Sequence, residues 1–94
     1  MRIRYLKSAL SDLEQIRRFI RQSNPLAAQR VVAEIREQVA KLSIFSERFR
    51  EGPAQGAREL VIVRYGYIVT YRIEPRAVVI LSVFHAAQDK PRGG

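Results

Sequence analysis

The side chains able to do chemistry are few in type. His85 is the single histidine and there is no cysteine, so thiolate nucleophiles, thiolate-bound zinc or iron–sulfur, and disulfides are all excluded. One histidine among scattered carboxylates has no metal-ligand spacing, and no metal or other cofactor is expected. His85 closes the apolar stretch that starts at Val78, where an imidazole serves either as a proton donor and acceptor for a substrate or as a hydrogen-bonding residue at a strand end. Tyr65, Tyr67 and Tyr71 read first as sheet packing and second as platforms for stacking bases. The abundant reactive type is arginine: 14 of the 17 basic residues are Arg and 3 are Lys. A guanidinium is always charged and forks onto carboxylates and phosphates, so arginine excess points to an anionic partner more than to simple solubility.

The 94 residues carry a net charge of +8, and the two halves share it, with 9 basic and 4 acidic groups in residues 1–46 and 8 and 5 in residues 47–94. There is no basic tail. Any cationic surface is assembled by folding, from an acidic protein's or a nucleic acid's point of view alike. The length predicts a single domain over residues 1–94 with one modest core. The longest apolar run, Ala77 to Leu81, is far short of a membrane span, and no signal-peptide core follows Met1. With no cysteine to staple a small secreted domain, a cytoplasmic setting is expected.

The elements that position these residues follow from periodicity. Ile3 and Tyr5 alternate with Arg2 and Arg4, which predicts a short strand. Ala9, Leu13, Ile16 and Ile20 form a helical stripe, with Ser8 as a candidate N-cap and Ser11 with Glu14 as an alternative capping box. Asn24-Pro25 stops that helix and starts another, whose stripe is Ala28, Val31, Val32, Ile35, Val39 and Leu42. So short a corner predicts a helical hairpin. Ser46 to Gly56 reads as a polar, basic loop. Three strands are predicted beyond it, at Glu59–Arg64, Tyr67–Glu74 and Val78–His85, broken at Tyr65-Gly66 and Pro75-Arg76. Tyr67, Val69, Tyr71 and Ile73 share one face of the middle strand, and Ile68, Thr70, Arg72 and Glu74 the other. The last strand, apolar on both faces, suits a central position, and residues 86–94 read as a flexible tail. The fold class is α+β, in the order β-α-α-β-β-β, with an N-terminal helical hairpin packed on a small antiparallel sheet whose far face stays partly open around Arg72.

Four stretches carry a family resemblance: Asp12-Leu13-Glu14-Gln15-Ile16; Asn24-Pro25-Leu26-Ala27-Ala28 with Ile35; Arg58-Glu59-Leu60 with Tyr67, Tyr71 and Arg72; and Val79 through His85. In that order and in a basic chain of this size, the sequence resembles the ParE/RelE superfamily of type II toxin–antitoxin toxins, on its ParE, or plasmid-stabilisation, branch. Relatives often carry a Phe-Pro-x-x-Gly-Arg-like run after the second helix. Here Phe45-Ser46-Glu47-Arg48-Phe49-Arg50 stands instead, keeping the arginine but neither the proline nor the glycine.

The resemblance implies two mechanisms. The RelE branch cleaves ribosome-bound messenger RNA by attack of a ribose 2′-hydroxyl on the adjacent phosphate, which needs a base, an acid and cations on the phosphorane. If this chain is such an endoribonuclease, His85, Arg72, Arg64 and Glu59 supply that set. Against it, Ile68 stands where those relatives keep an arginine, and Ala86-Ala87 follow the histidine where they keep a tyrosine or a basic residue. The ParE branch instead inhibits DNA gyrase without catalysis, so no catalytic residue is favoured. The favoured expectation is a gyrase-binding toxin, neutralised by a cognate acidic, ParD-like antitoxin in a hetero-oligomer. A toxin homologue that keeps only antitoxin binding is a further alternative. The binding surface expected for antitoxin or target comprises Arg48, Arg50, Arg58, Arg64, Arg72, Tyr67, Tyr71 and His85. Sequence-specific DNA binding is not expected: the second helix carries Glu34 and Glu37 outward, and the basic groups are not gathered on one element.

Overall fold

The computed structural model describes residues 1–46 and 56–88. Strand β1 is Arg2–Tyr5, followed by helices α1, Lys7–Arg21, and α2, Pro25–Ala40, a single turn α3, Leu42–Phe45, and strands β2, Ala57–Ile62, β3, Tyr67–Glu74, and β4, Ala77–His85. The expected order of elements is present. The predicted loop at Ser46–Gly56 lies, apart from its two ends, outside the described residues, as do residues 89–94 of the predicted tail.

The α1–α2 corner forms as its residues dictate. Asn24 adopts an extended backbone and its side-chain Oδ1 accepts from Ala27 N–H at 3.0 Å, with Pro25 at the first helical position. At the start of α1 the two predicted caps do not form. Leu6 precedes the helix with no side-chain cap; Ser8 donates instead to the Leu81 carbonyl at 2.9 Å, and Ser11 accepts from Gln15 at 3.2 Å. For Ser8, a tertiary partner on β4 outcompetes the local cap.

The sheet order is β1-β4-β3-β2, with β4 in the interior as its two-sided hydrophobicity predicts. The meander β2-β3-β4 is antiparallel, but β1 runs parallel to β4, so the sheet is mixed rather than wholly antiparallel. The paired helices between β1 and the meander return the chain to its starting end, which aligns β1 with β4. Beneath the helices, Ile3, Tyr5, Leu60, Ile62, Val69, Tyr71, Val78, Ile80 and Val83 join Ala9, Leu13, Val31, Ile35, Val39 and Leu42 in one apolar core. Ridges at three- and four-residue spacing on both helices therefore meet the alternate residues of four strands.

One irregularity in β4 matters for the site. Thr70 pairs with Ser82 and Tyr71 with Ile80, so Leu81 is an extra residue with no partner on β3. Strict alternation from Val78 and Ile80 would turn Ser82 and Phe84 toward the helices. The bulge shifts the phase, so Val83 joins the core and His85 follows it onto the helix side. Thr70 and Ser82 then face outward together, their hydroxyls sharing a hydrogen bond.

Candidate functional site

Sheet geometry sorts the sequence-predicted residues into separate places. His85 ends β4 opposite Tyr67, whose ring meets the imidazole edge-on with centroids 5.1 Å apart. Its Nδ1 accepts from Ala87 N–H at 3.0 Å, so a neutral ring carries its proton on Nε2. Nε2 lies against the β2–β3 turn, where a Cβ added to Gly66 would stand 3.0 Å from it. That glycine has φ +76°, the left-handed conformation the hairpin turn requires. Ala86 N–H donates to the Gly66 carbonyl at 2.8 Å, while His85 and Gln88 exchange two bonds of 2.9 Å, His85 N–H to Gln88 Oε1 and Gln88 N–H to the His85 carbonyl. Residues 86–88 are thus tied to the hairpin. The histidine is the pin of that corner.

Beside the corner opens a cleft of ≈ 650 Å³ between α1 and the ends of β3 and β4. Ile16, Phe19, Tyr67 and Val83 supply apolar walls, and Asp12 and His85 polar ones. Asp12 is held in place by accepting from Val83 N–H at 2.9 Å. Phe19, 74% exposed, projects at the rim. Sequence reasoning gave neither residue a site role: Asp12 stood only within a resemblance stretch, and the one available signal for Phe19 is its place off the Ala9, Leu13, Ile16, Ile20 stripe.

The tyrosines are less available than a stacking role needs. Tyr71 is fully buried, and its hydroxyl donates to the Ser46 carbonyl at 2.5 Å. Burial raises its phenol pKa, partly offset by the positive charge of Arg58. Tyr67 is also buried, and desolvation raises its phenol as well. Both rings are pillars of the core rather than part of an exposed surface. Arg58 is half-buried on β2 opposite Tyr71. Arg64 sits exposed in the β2–β3 turn with its guanidinium 5.4 Å from the centre of the Tyr65 ring. Arg48 and Arg50 lie outside the described residues.

Arg72 stands on the sheet face turned away from the helices. Its Nε and Nη2 donate to Glu74 Oε2 at 3.2 and 3.0 Å, and Arg4 of β1 reaches Glu74 Oε1 at 3.5 Å. The four residues that a ribonuclease would use are therefore not brought together. Glu59 faces outward with Thr70 and is 3% exposed. Arg72 is on the same face, His85 is on the other, and Arg64 is in a turn. Along β3, Arg72 is five residues from the partner of His85, roughly 17 Å at strand rise.

The model of one family, described as "ParE toxin of type II toxin-antitoxin system, parDE", matches residues 3–90. This chain belongs to that ParE toxin family. Among curated relatives, the putative toxin Y4kP of Sinorhizobium fredii (strain NBRC 101917 / NGR234) is 42% identical over 91 residues, covering 97% of this chain and 94% of that protein. Toxin RelE2 of Caulobacter vibrioides is 39% identical over 80 residues, covering 85% and 89% of the two chains. A solved chain described as "Chromosomal ParDE TA system from P. aeruginosa" superposes with a TM-score of 0.83 over 90% of this chain and 95% of its own, at 23% identity. At that identity the likeness speaks for the ParE fold. It agrees with a helical hairpin on a four-stranded sheet.

Proposed function

We propose that this ParE-family toxin acts by binding DNA gyrase without catalysis and is neutralised by a cognate acidic, ParD-like antitoxin. One observation supports the non-catalytic reading above the others: the proton-transfer candidate His85 and the phosphate-clamp candidate Arg72 are on opposite faces of the sheet, and His85 is engaged by the backbone of its own corner. General acid–base catalysis needs donor and acceptor within hydrogen-bond reach of one reacting group. A surface that binds a protein has no such demand. The antitoxin half of the reading is supported by the net charge of +8 and by the ParDE pairing in the description of the solved relative.

The test is a comparison of two purified reactions. The expected result is slowed supercoiling by gyrase with accumulation of cleaved DNA, and intact message in a translation extract. Site-specific message cleavage that disappears in His85→Ala would reverse the assignment. That second reading, a ribosome-dependent endoribonuclease, is favoured by the 39% identity to a protein named RelE2.

A further inference from the structure

Arg4 and Arg72 are 68 positions apart in the chain, yet both stand opposite the same residue. Arg4 of β1 and Arg72 of β3 each pair with Val79 on β4, one from either side, so the two arginines flank it on the outer face about 10 Å apart at the Cα atoms. Glu74, two residues beyond Arg72 on that face, reaches between them: one carboxylate oxygen accepts from Arg4 and the other from Arg72. Arg2 precedes Arg4 on the same face and Arg76 follows Glu74 in the β3–β4 turn, both exposed. Two cations thus grip one carboxylate, and two more arginines lie near these residues in the chain. Both bridged arginine side chains keep about half their surface in water, 50% for Arg4 and 48% for Arg72, and a guanidinium has more donors than these contacts use.

We propose that the Arg4–Arg72 pair is a carboxylate seat, occupied by Glu74 in the free chain and taken over by an acidic peptide segment of the antitoxin when it binds. The occupant is argued from charge: the patch already holds a carboxylate in a two-arginine grip and retains an excess of positive charge for more. Glu74 is then an internal competitor that weakens partner binding. The inference rests on the antitoxin reading for the source of the peptide, and makes no use of gyrase.

The probe is a fluorescein-labelled peptide of alternating Glu and Leu, read by anisotropy at about 50 mM salt, where exposed charges are little screened. Glu74→Gln is expected to tighten binding about threefold to fivefold, a gain that misfolding cannot mimic. Arg4→Gln combined with Arg72→Gln is expected to weaken it about tenfold. Glu37→Gln, the same charge change on exposed α2, is the control and is expected to shift Kd less than about 1.5-fold. Equal tightening by Glu37→Gln and Glu74→Gln would reduce the effect to net charge and overturn the seat, as would no change in Glu74→Gln. Displacement of the peptide by a single-stranded oligonucleotide of equal charge at lower concentration would assign the patch to phosphate instead. None of these arms measures toxicity, so a failed gyrase assay and a failed seat are told apart.

Discussion

The two faces of the sheet are built from the same strands, one residue out of step, and they have opposite characters. On the helix side, Ile3, Val69, Tyr71, Val78 and Ile80 form an unbroken apolar layer against Leu13, Ile35 and Val39. On the outer side, Val79 lies between Arg4 and Arg72, Thr70 bonds Ser82, and Glu74 joins the two arginines. Away from the cleft at His85, the helix side consumes its residues in packing, since burying each aliphatic side chain stabilises by about 1.5–3 kcal/mol. The outer side keeps charge in reach of solvent. Tyr67, Tyr71 and His85 are on the first side and Arg72 is on the second. Exposed charge and the packing that maintains the fold are divided between faces.

That division is testable by substitution. Ile35→Ala, at a site with no exposure beneath the sheet, is expected to cost about 3–4 kcal/mol in denaturant unfolding, a large share of the stability of so small a domain. Neighbours on opposite faces give a finer contrast. Val78 and Val79 are both fully buried, but Val79 has long, flexible arginines as its cross-strand neighbours. Val78→Ala is expected to cost about 2 kcal/mol and Val79→Ala about 1, because flexible stems can close over the lost methyls. Equal costs would mean that the outer face is a second rigid core.

Tyr71→Phe removes the hydroxyl that reaches Ser46 and is expected to cost about 1 kcal/mol by the same measurement. Arg72→Gln, on the charged face, is expected to change stability by less than about 0.5 kcal/mol. The smallest effect is on α1. Arg17, hydrogen-bonded to Glu14 and seconded by Arg18, lowers the Glu14 carboxyl from its ordinary 4.5 to about 2. A carboxyl lowered by folding stabilises above its ordinary value and loses that contribution as pH falls toward the folded one. Helix melts followed by circular dichroism should therefore weaken slightly between about pH 5 and pH 2, less in high salt, and the slope should flatten in Glu14→Gln.

Much of this fold was legible. The spacing of Ala28, Val31, Ile35 and Val39 marked the buried stripe of α2, Asn24-Pro25 marked its start, and the alternation of Tyr67, Val69 and Tyr71 marked the packed face of β3. Local signals sufficed because local geometry imposes those periods. The seat at Arg4 and Arg72 was half legible: Arg72 was assigned to the outer face, but its meeting with Arg4 depends on β1 lying beside β4, and strand order leaves no mark in either segment. The side of β4 that His85 takes depends on one unpaired residue, Leu81. Ser8 read as a cap because its best partner, the Leu81 carbonyl, is 73 positions away.

β1 stops at Tyr5 while β4 runs on to His85, which exposes a length of β4 flank where a strand of another molecule would fit. Ser8 takes the Leu81 carbonyl there and Asp12 takes the Val83 amide. A helix thereby does for β4 what a fifth strand would do, and leaves these groups no appetite for sheet-to-sheet assembly. The chain is protected from pairing along that flank by two short polar side chains. Losing Asp12 would leave the Val83 amide without that acceptor.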